Sequence, residues 1–234
     1  MRKRRLKKKS EHILKRSFAK FDDNEEKEKM NKIINEYTKE SFYGDINKWL
    51  MSLRTKYYCT TAYFASRLIY CLNQYGKKDK KYFNENTTVY RGTTLPYISL
   101  LPYMRAENKI ILFSSFTSTS IDINQCHKFA KRGYFKSKNT NNNFCVVFYI
   151  ENRHKTGMYS NGIDIEALSN YEEKEILYQA FSFYYVKNVQ INLKERLADI
   201  YLMTIGKDCI LEEEIKKGKN IEYNEKEKIM KIKK

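Results

Sequence analysis

Glu173 and Glu175 flank Lys174 in the run Leu-Ser-Asn-Tyr-Glu-Glu-Lys-Glu-Ile-Leu (168–177). If its second half is extended, the two carboxylates point one way and Lys174 the other, so two acids enter one cleft. A helix is the competing reading, with Ser169 and Glu172 as a capping box and the acids in its first turn. The following residues, Ile-Leu-Tyr-Gln-Ala-Phe-Ser-Phe-Tyr-Tyr-Val, lack a polar helical face and favour a strand starting near Glu175. Val-Tyr-Arg-Gly-Thr (89–93) offers a different chemistry. An arginine ending a strand ahead of a glycine can approach a phosphate and grip it with two parallel hydrogen bonds. Taken alone, Arg91 and Gly92 fit a surface arginine before a turn more often than a ligand site. Phe-Ser-Ser-Phe-Thr-Ser-Thr-Ser (113–120) is the third segment. As one strand it sets Phe113 and Thr117 on one side, Ser118 and Ser120 on the other. Hydroxyls there can bond a sugar or an amide, and equally can serve only a Ser/Thr-rich turn.

These groups need elements to hold them. From Glu25 to about Tyr75 the chain reads as helical, with apolar residues such as Ile33, Ile34, Tyr37, Ile46, Trp49, Leu50 and Leu53 at helical spacings and Gly44 between two helices. After a lysine-rich stretch, 76–86, the texture changes. Thr87–Thr93, Lys109–Phe116, Asn143–Glu151, Gly162–Ala167, Glu175–Ile191 and Leu197–Ile205 are rich in β-branched and aromatic residues and read as strands. Asn124–Phe135 reads as a helix, and Ser137–Asn143 as a polar loop. Helices first and short strands later predict an α+β domain with a mainly antiparallel core. The expected division is a basic arm (1–24), one domain over 25–205 with a helical part (25–86) and a β-rich core (87–205), and a charged tail (206–234).

The chain has 234 residues, 41% of them hydrophobic with 20 Tyr and 13 Phe, enough for a substantial core. Its formal charge of +17 is unevenly spread. Residues 1–20 carry ten Lys/Arg against one acid, a net +9, over half of the excess. That arm reads as a nuclear address, an anchor to an acidic surface, or a solvated tail. With the charge so concentrated and no zinc-finger or RNA-binding signature, a nucleic-acid-binding body is disfavoured. Five cysteines without paired spacing predict free thiols in a reducing compartment. No Cys-x-x-Cys or His-x-x-x-His pair suggests a metal. The longest apolar run, Phe144–Ile150, is too short to span a membrane. The basic start lacks the apolar stretch of a signal peptide. A soluble, intracellular protein, cytoplasmic or nuclear, is expected.

In the order Arg, Ser-Thr-Ser, Glu-x-Glu, the three segments resemble the signature of the arginine-directed mono-ADP-ribosyltransferases. The flanks are similar too: Tyr-Thr-x-x-x-Phe-Tyr-x-x-Ile-Asn-x-x-Leu (37–50), Phe-x-Ser-Phe-Thr-Ser-Thr-Ser and Leu-Ser-x-Tyr-x-Glu-x-Glu-Ile-Leu. The likeness spans roughly 37–205. Each piece is common, and the ordered set is specific. The resemblance implies helices followed by a mainly antiparallel β-sandwich core, NAD as co-substrate without a metal, and a target protein with an accessible arginine as acceptor. It implies that Arg91 and Gly92 hold the phosphates, that Ser118, Thr119 and Ser120 line the nicotinamide-ribose region, that Glu175 meets a ribose hydroxyl, and that Glu173 and Tyr171 face the acceptor.

The chemistry suits those roles. Breaking the bond between nicotinamide and ribose builds oxocarbenium-like charge on the sugar, as in glycoside hydrolysis, and a fixed carboxylate stabilises it. The acceptor guanidinium stays protonated, with a pKa above about 12, so it needs a carboxylate to orient it and take its proton. Water at the same cation would instead make the protein an NAD glycohydrolase. A catalytically inactive interaction module would not need intact Arg, Ser and Glu positions.

Overall fold

The computed structural model describes residues 23–52, 58–83, 86–136, 142–152, 162–205, 221–224 and 229–232. The basic arm, apart from its last two residues, lies outside them, as do residues 137–141 of the polar loop and most of the charged tail. The chain divides into two compact units, one holding the helices up to Lys81 together with Ala167–Tyr171, the other holding the rest.

In the first unit, α1 (Asp23–Thr38), α2 (Glu40–Ser52) and α3 (Tyr58–Lys78) follow one another. Met30, Ile33, Ile34 and Tyr37 of α1 are buried with Ile46 and Leu50 of α2 and Phe64, Leu68, Cys71, Leu72 and Tyr75 of α3. Their three- and four-residue spacings are the apolar stripes that make each segment helical in context. Gly44, expected between helices, lies inside α2, and the break comes at Lys39 instead. There Thr38 donates its hydroxyl to the Asn35 carbonyl at 2.9 Å, the local bond with which Ser and Thr compete against helix continuation.

The second unit contains β1 (Thr87–Pro96), α4 (Tyr97–Arg105), β2 (Ile110–Phe113), β3 (Thr117–Ser120), α5 (Ile123–Lys136), β4 (Asn143–Asn152), β5 (Ile163–Asp164), β6 (Glu175–Tyr178), β7 (Ser182–Asn192) and β8 (Leu197–Ile205). Their order is β2-β7-β8-β4-β1-β3-β6-β5, antiparallel except where β4 meets β8. Strands β9 (Ile221–Asn224) and β10 (Ile229–Ile232) pair antiparallel as a second, two-stranded sheet. The expected class, helices first and then a mainly antiparallel β core, is the architecture found. Leu100 of α4, Ile111 of β2, Phe148 and Ile150 of β4, Tyr184 of β7 and Ile200 of β8 form one core with Ile176 and Tyr178 of β6. The β2–β1 group and the β3–β5 group therefore share an interior, as the layers of a sandwich do.

Two expected strands are divided, and one helix, α4, was not expected. Lys109–Phe116 is not one strand: the chain leaves the sheet after Phe113, beside β7, and re-enters at Thr117, beside β6 on the far flank. Phe113 and Thr117 therefore do not share a strand face. Glu175–Ile191 is likewise divided, at Gln179–Phe181, where Phe181 takes φ 63°, a left-handed conformation that ends a ladder. Helix α4 was hidden by its two prolines. Pro96 stands just before it with extended angles, φ −67° and ψ 151°, and Pro102 lies inside it; prolines of this kind ordinarily read as helix breakers.

Candidate active site

Arg91 and Gly92 sit mid-strand in β1, and their alternation gives them opposite duties. A Cβ on Gly92 would stand 1.7 Å from the carbonyl oxygen of Cys126 in α5, so only glycine lets the helix backbone come this close. Thr94 continues that seam, its hydroxyl donating to the Ala130 carbonyl at 2.9 Å. Arg91 leaves from the other side of the strand. Its charge acts on Tyr103 and Tyr184, whose hydroxyls burial pushes up, that of Tyr103 to about 12, while the guanidinium works against the shift.

The β1–β3 junction is thin: a single register pair, Tyr90 opposite Ser120, joins the two strands. Arg91 bridges them just beyond it, donating from Nη1 to the Ser118 carbonyl at 2.8 Å. Strand β3 is then paired along its whole length with β6, Ser120 opposite Glu175, Thr119 opposite Ile176 and Ser118 opposite Leu177. Directly opposed residues share a face, so Ser118, Ser120 and Glu175 lie on one side of this ladder. Arg91 projects from β1 on the face opposite Tyr90, the partner of Ser120, and joins the group across the junction, not along a common face.

The three hydroxyls of Ser118–Ser120 divide their work. Thr119 is buried and donates to the Ile176 carbonyl at 2.6 Å. Ser120 is also buried, donating to the Glu173 carbonyl at 2.7 Å and accepting the Asp122 N–H at 3.0 Å. Both therefore tie β3 to β6 and to the turn before it. Ser118 is half-buried, and its hydroxyl has no protein partner among the described residues.

Glu175 is the first residue of β6 and only 5% exposed. A carboxylate held there is costly unless its surroundings favour the charge. Glu173 precedes it in a turn, where Lys174 takes φ 48°. That left-handed residue breaks the simple alternation expected from Glu173 to Glu175, so the two acids are neighbours by a turn and not by strand pleating. Burial raises the Glu173 carboxyl above its usual range, the Glu175 charge adds to the shift, and Arg132 of α5 opposes it. Tyr171 is 43% exposed. The helical alternative does not form: the Ser169 hydroxyl accepts the Tyr171 N–H at 3.3 Å in a turn, and the strand starts at Glu175.

Arg132 was not among the residues singled out, because its relation to Glu173 depends on how α5 lies on the sheet. Asp122 left a local signal in Ser-Ile-Asp-Ile-Asn: its carboxylate accepts the Asn124 N–H at 2.9 Å at the start of α5, the habit of an aspartate at a helix N-terminus.

By sequence alone the chain matches no family model and no curated protein. Its fold does match solved structures. The Vis toxin, an ADP-ribosyltransferase from Vibrio splendidus, aligns at a TM-score of 0.58 and 18% identity over 77% of this chain and 75% of that one. The ADP-ribosyltransferase HopU1 of Pseudomonas syringae pv. Tomato DC3000 aligns at 0.52 and 17% over 76% of each chain. This is the ADP-ribosyltransferase fold. Exoenzyme S from Pseudomonas aeruginosa, in a structure bound to carba-NAD, aligns with it at 0.51 and 15% over 74% of this chain and 72% of that one. Vis has also been solved in complex with agmatine, aligning at 0.58 and 17% over 88% of this chain and 87% of that one. Within this ADP-ribosyltransferase fold, Arg91 lies on β1, Ser118–Ser120 form most of β3, and Glu175 heads β6. No group of three or more His, Cys, Asp or Glu side chains that could hold a metal ion occurs among the described residues, and no helix there is long and apolar enough to cross a membrane.

Proposed function

We propose that the chain is a mono-ADP-ribosyltransferase that moves ADP-ribose from NAD to an arginine side chain of a target protein. The observation that carries this reading is Glu175, a buried carboxylate paired with Ser120 and neighboured by Glu173, within an ADP-ribosyltransferase fold. NAD suits the groups present. Arg91 supplies a fixed guanidinium for the diphosphate, and Gly92, on the other face, lets α5 pack closely against the strand that carries it. Ser118 has a hydroxyl to offer the nicotinamide ribose. Thr119 and Ser120 hold the ladder in place.

Glu175 lies against the ribose and stabilises positive charge on the sugar as the bond from C1′ to the nicotinamide nitrogen breaks and nicotinamide leaves with the electron pair. A guanidino nitrogen of the acceptor then bonds C1′, and its proton passes to Glu173. A carboxyl with a raised pKa is the better proton acceptor, and Glu173 has one. That Vis binds agmatine, a small guanidino compound, supports an arginine-like acceptor.

Labelled NAD incubated with the protein, agmatine and a mixture of candidate proteins tests the reading. Label on agmatine and on protein is expected, with free nicotinamide. Free ADP-ribose alone would make the chain a hydrolase, and no turnover would leave an inactive module.

A further inference from the structure

Glu175 ends a row of side chains that crosses five strands. By register, Tyr201 of β8 lies opposite Tyr149 of β4, and Tyr149 opposite Tyr90 of β1. Tyr90 then lies opposite Ser120 of β3, and Ser120 opposite Glu175 of β6. Directly opposed residues share a face, so the three tyrosines stand on the same side of the sheet as the buried glutamate, all within the second unit. Their rings touch. Tyr149 stacks on Tyr201 with centroids 4.7 Å apart, and Tyr90 meets Tyr149 edge to face at 5.6 Å. Asp199, two residues before Tyr201 and so on its face, accepts a hydrogen bond from the Tyr149 hydroxyl. Burial first, then Asp199, Tyr201 and Tyr90, push that hydroxyl up to about 12. Three phenols and one carboxylate, all half-buried, therefore gather at one place.

The cluster is rich in oxygen acceptors. No lysine or arginine forms a salt bridge with Asp199 among the described residues, whereas Glu151, two residues beyond Tyr149 on the same face, is paired with Lys187 at 2.8 Å. The imidazole of His127 on α5 lies near enough for its charge to act on Asp199, and burial still holds that carboxyl above its usual range. A cation brought here meets a carboxylate, hydroxyl oxygens and aromatic rings together. We propose that Tyr90, Tyr149, Tyr201 and Asp199 receive a second basic side chain of the acceptor protein while its arginine lies at Glu173. The proposal rests on the activity proposed above. Ser120 links the two places, since it stands in the row and holds the Glu173 carbonyl. At the usual strand spacing Tyr149 lies about 14 Å from Glu175, a span that an extended peptide covers in roughly four residues. The target class is a segment with a lysine or arginine at about that spacing from the modified arginine.

The test uses the full chain, NAD, and peptides that carry one arginine with lysine, glutamine or glutamate at that spacing. The lysine peptide should have a KM about tenfold below that of the glutamine peptide, the scale of one charge-assisted contact, with the glutamate peptide poorer still and kcat alike for all three. Asp199→Asn and Tyr149→Phe, with melting as the folding control, should erase this preference. Both should leave transfer to agmatine and the KM for NAD within about twofold of the parent. Equal use of the three peptides by the parent would overturn the proposal whatever the variants do. So would a preference that survives Asp199→Asn, and a raised KM for NAD in the variants would give the row to NAD instead. A parent that transfers nothing to agmatine would sink the proposed function. Binding of the labelled lysine peptide to the parent and to Asp199→Asn, read by fluorescence anisotropy, would still decide whether the cluster receives a cation.

Discussion

Strands β1 and β4 face each other at every position from Thr87 opposite Asn152 to Pro96 opposite Asn143, whereas β1 and β3 meet only at Tyr90 and Ser120. The first ladder is held by its backbone, and its side chains are free to fill the core. At the second junction backbone pairing runs out and Arg91 bridges the strands instead, while Thr119 and Ser120 tie β3 onward to β6 and the turn before it. Polar side chains are thereby drawn to one small region, beside a buried glutamate. Where β1 pairs fully, its neighbours fill the core; where its pairing thins, it meets the groups to which the proposed chemistry is assigned.

The largest expected effect is Glu175→Gln. The swap keeps size and hydrogen-bonding capacity and deletes the charge, so transfer to agmatine and NAD hydrolysis should both fall by about a thousandfold, near 4 kcal/mol of transition-state stabilisation. Both rates are read on one preparation, with melting as the folding control. A fully active Glu175→Gln protein would overturn the assignment of Glu175 as the carboxylate that stabilises the sugar cation.

Gly92→Ala attacks the well-paired side of the comparison. Its Cβ would overlap the Cys126 carbonyl oxygen, a backbone atom that cannot swing aside, so β1 and α5 must separate. A loss of about 3 kcal/mol is expected, seen as a melting temperature lower by about 10 °C. A variant that melts with the parent would mean that the seam between β1 and α5 is looser than described.

Glu173→Gln should separate the two glutamates. Transfer should drop about a hundredfold, within the usual range for a lost general base, while hydrolysis changes little. The pH dependence follows from the raised carboxyl. As a base Glu173 works only when ionised, so transfer should fall with decreasing pH at a point above the ordinary glutamate value of about 4.3, and the substitution should erase that limb. Stability has the opposite sign. A pKa raised by folding favours the folded state at low pH, and this contribution is lost as pH rises through the folded value. Removing the charge should therefore leave melting at neutral pH equal to or slightly above that of the parent. Equal loss of both activities would refute the division of labour.

Much of the arrangement was legible in the residues, and the gaps have physical causes. Apolar spacing found the helices of the first unit and most strands because burial dictates it: Ile33, Ile34, Tyr37 and Ile46 are all buried. The breaks were hidden because they rest on single backbone conformations, φ 63° at Phe181 and φ 48° at Lys174, in residues that carry no left-handed signature. Arg91, Ser118 and Glu175 stood out by type and flank. That Thr119 and Ser120 serve the ladder, or that Arg132 acts on Glu173, depends on strand register and helix placement. Neither is written in local sequence.

The smallest effect expected is that of Ser120→Ala, and it bears most directly on the thin junction. The Ser120 hydroxyl joins the Glu173 carbonyl to the Asp122 N–H, so its loss frees the turn from β3 while leaving the β3–β6 register pairs in place. One hydrogen bond of this kind is worth about 1 kcal/mol, so melting should fall only slightly. Hydrolysis should stay near the parent rate, since Glu175 keeps its place in the ladder. Transfer should fall a few-fold, because Glu173 loses one of the bonds that define its turn. Thr119→Val removes the neighbouring bond to the Ile176 carbonyl, which lies within the strand and not in the turn. It should therefore cost similar stability with no bias between transfer and hydrolysis. If Thr119→Val skews the two activities and Ser120→Ala does not, the side chains at the junction do not divide as their bonds indicate, and the turn before β6 is held by something other than Ser120.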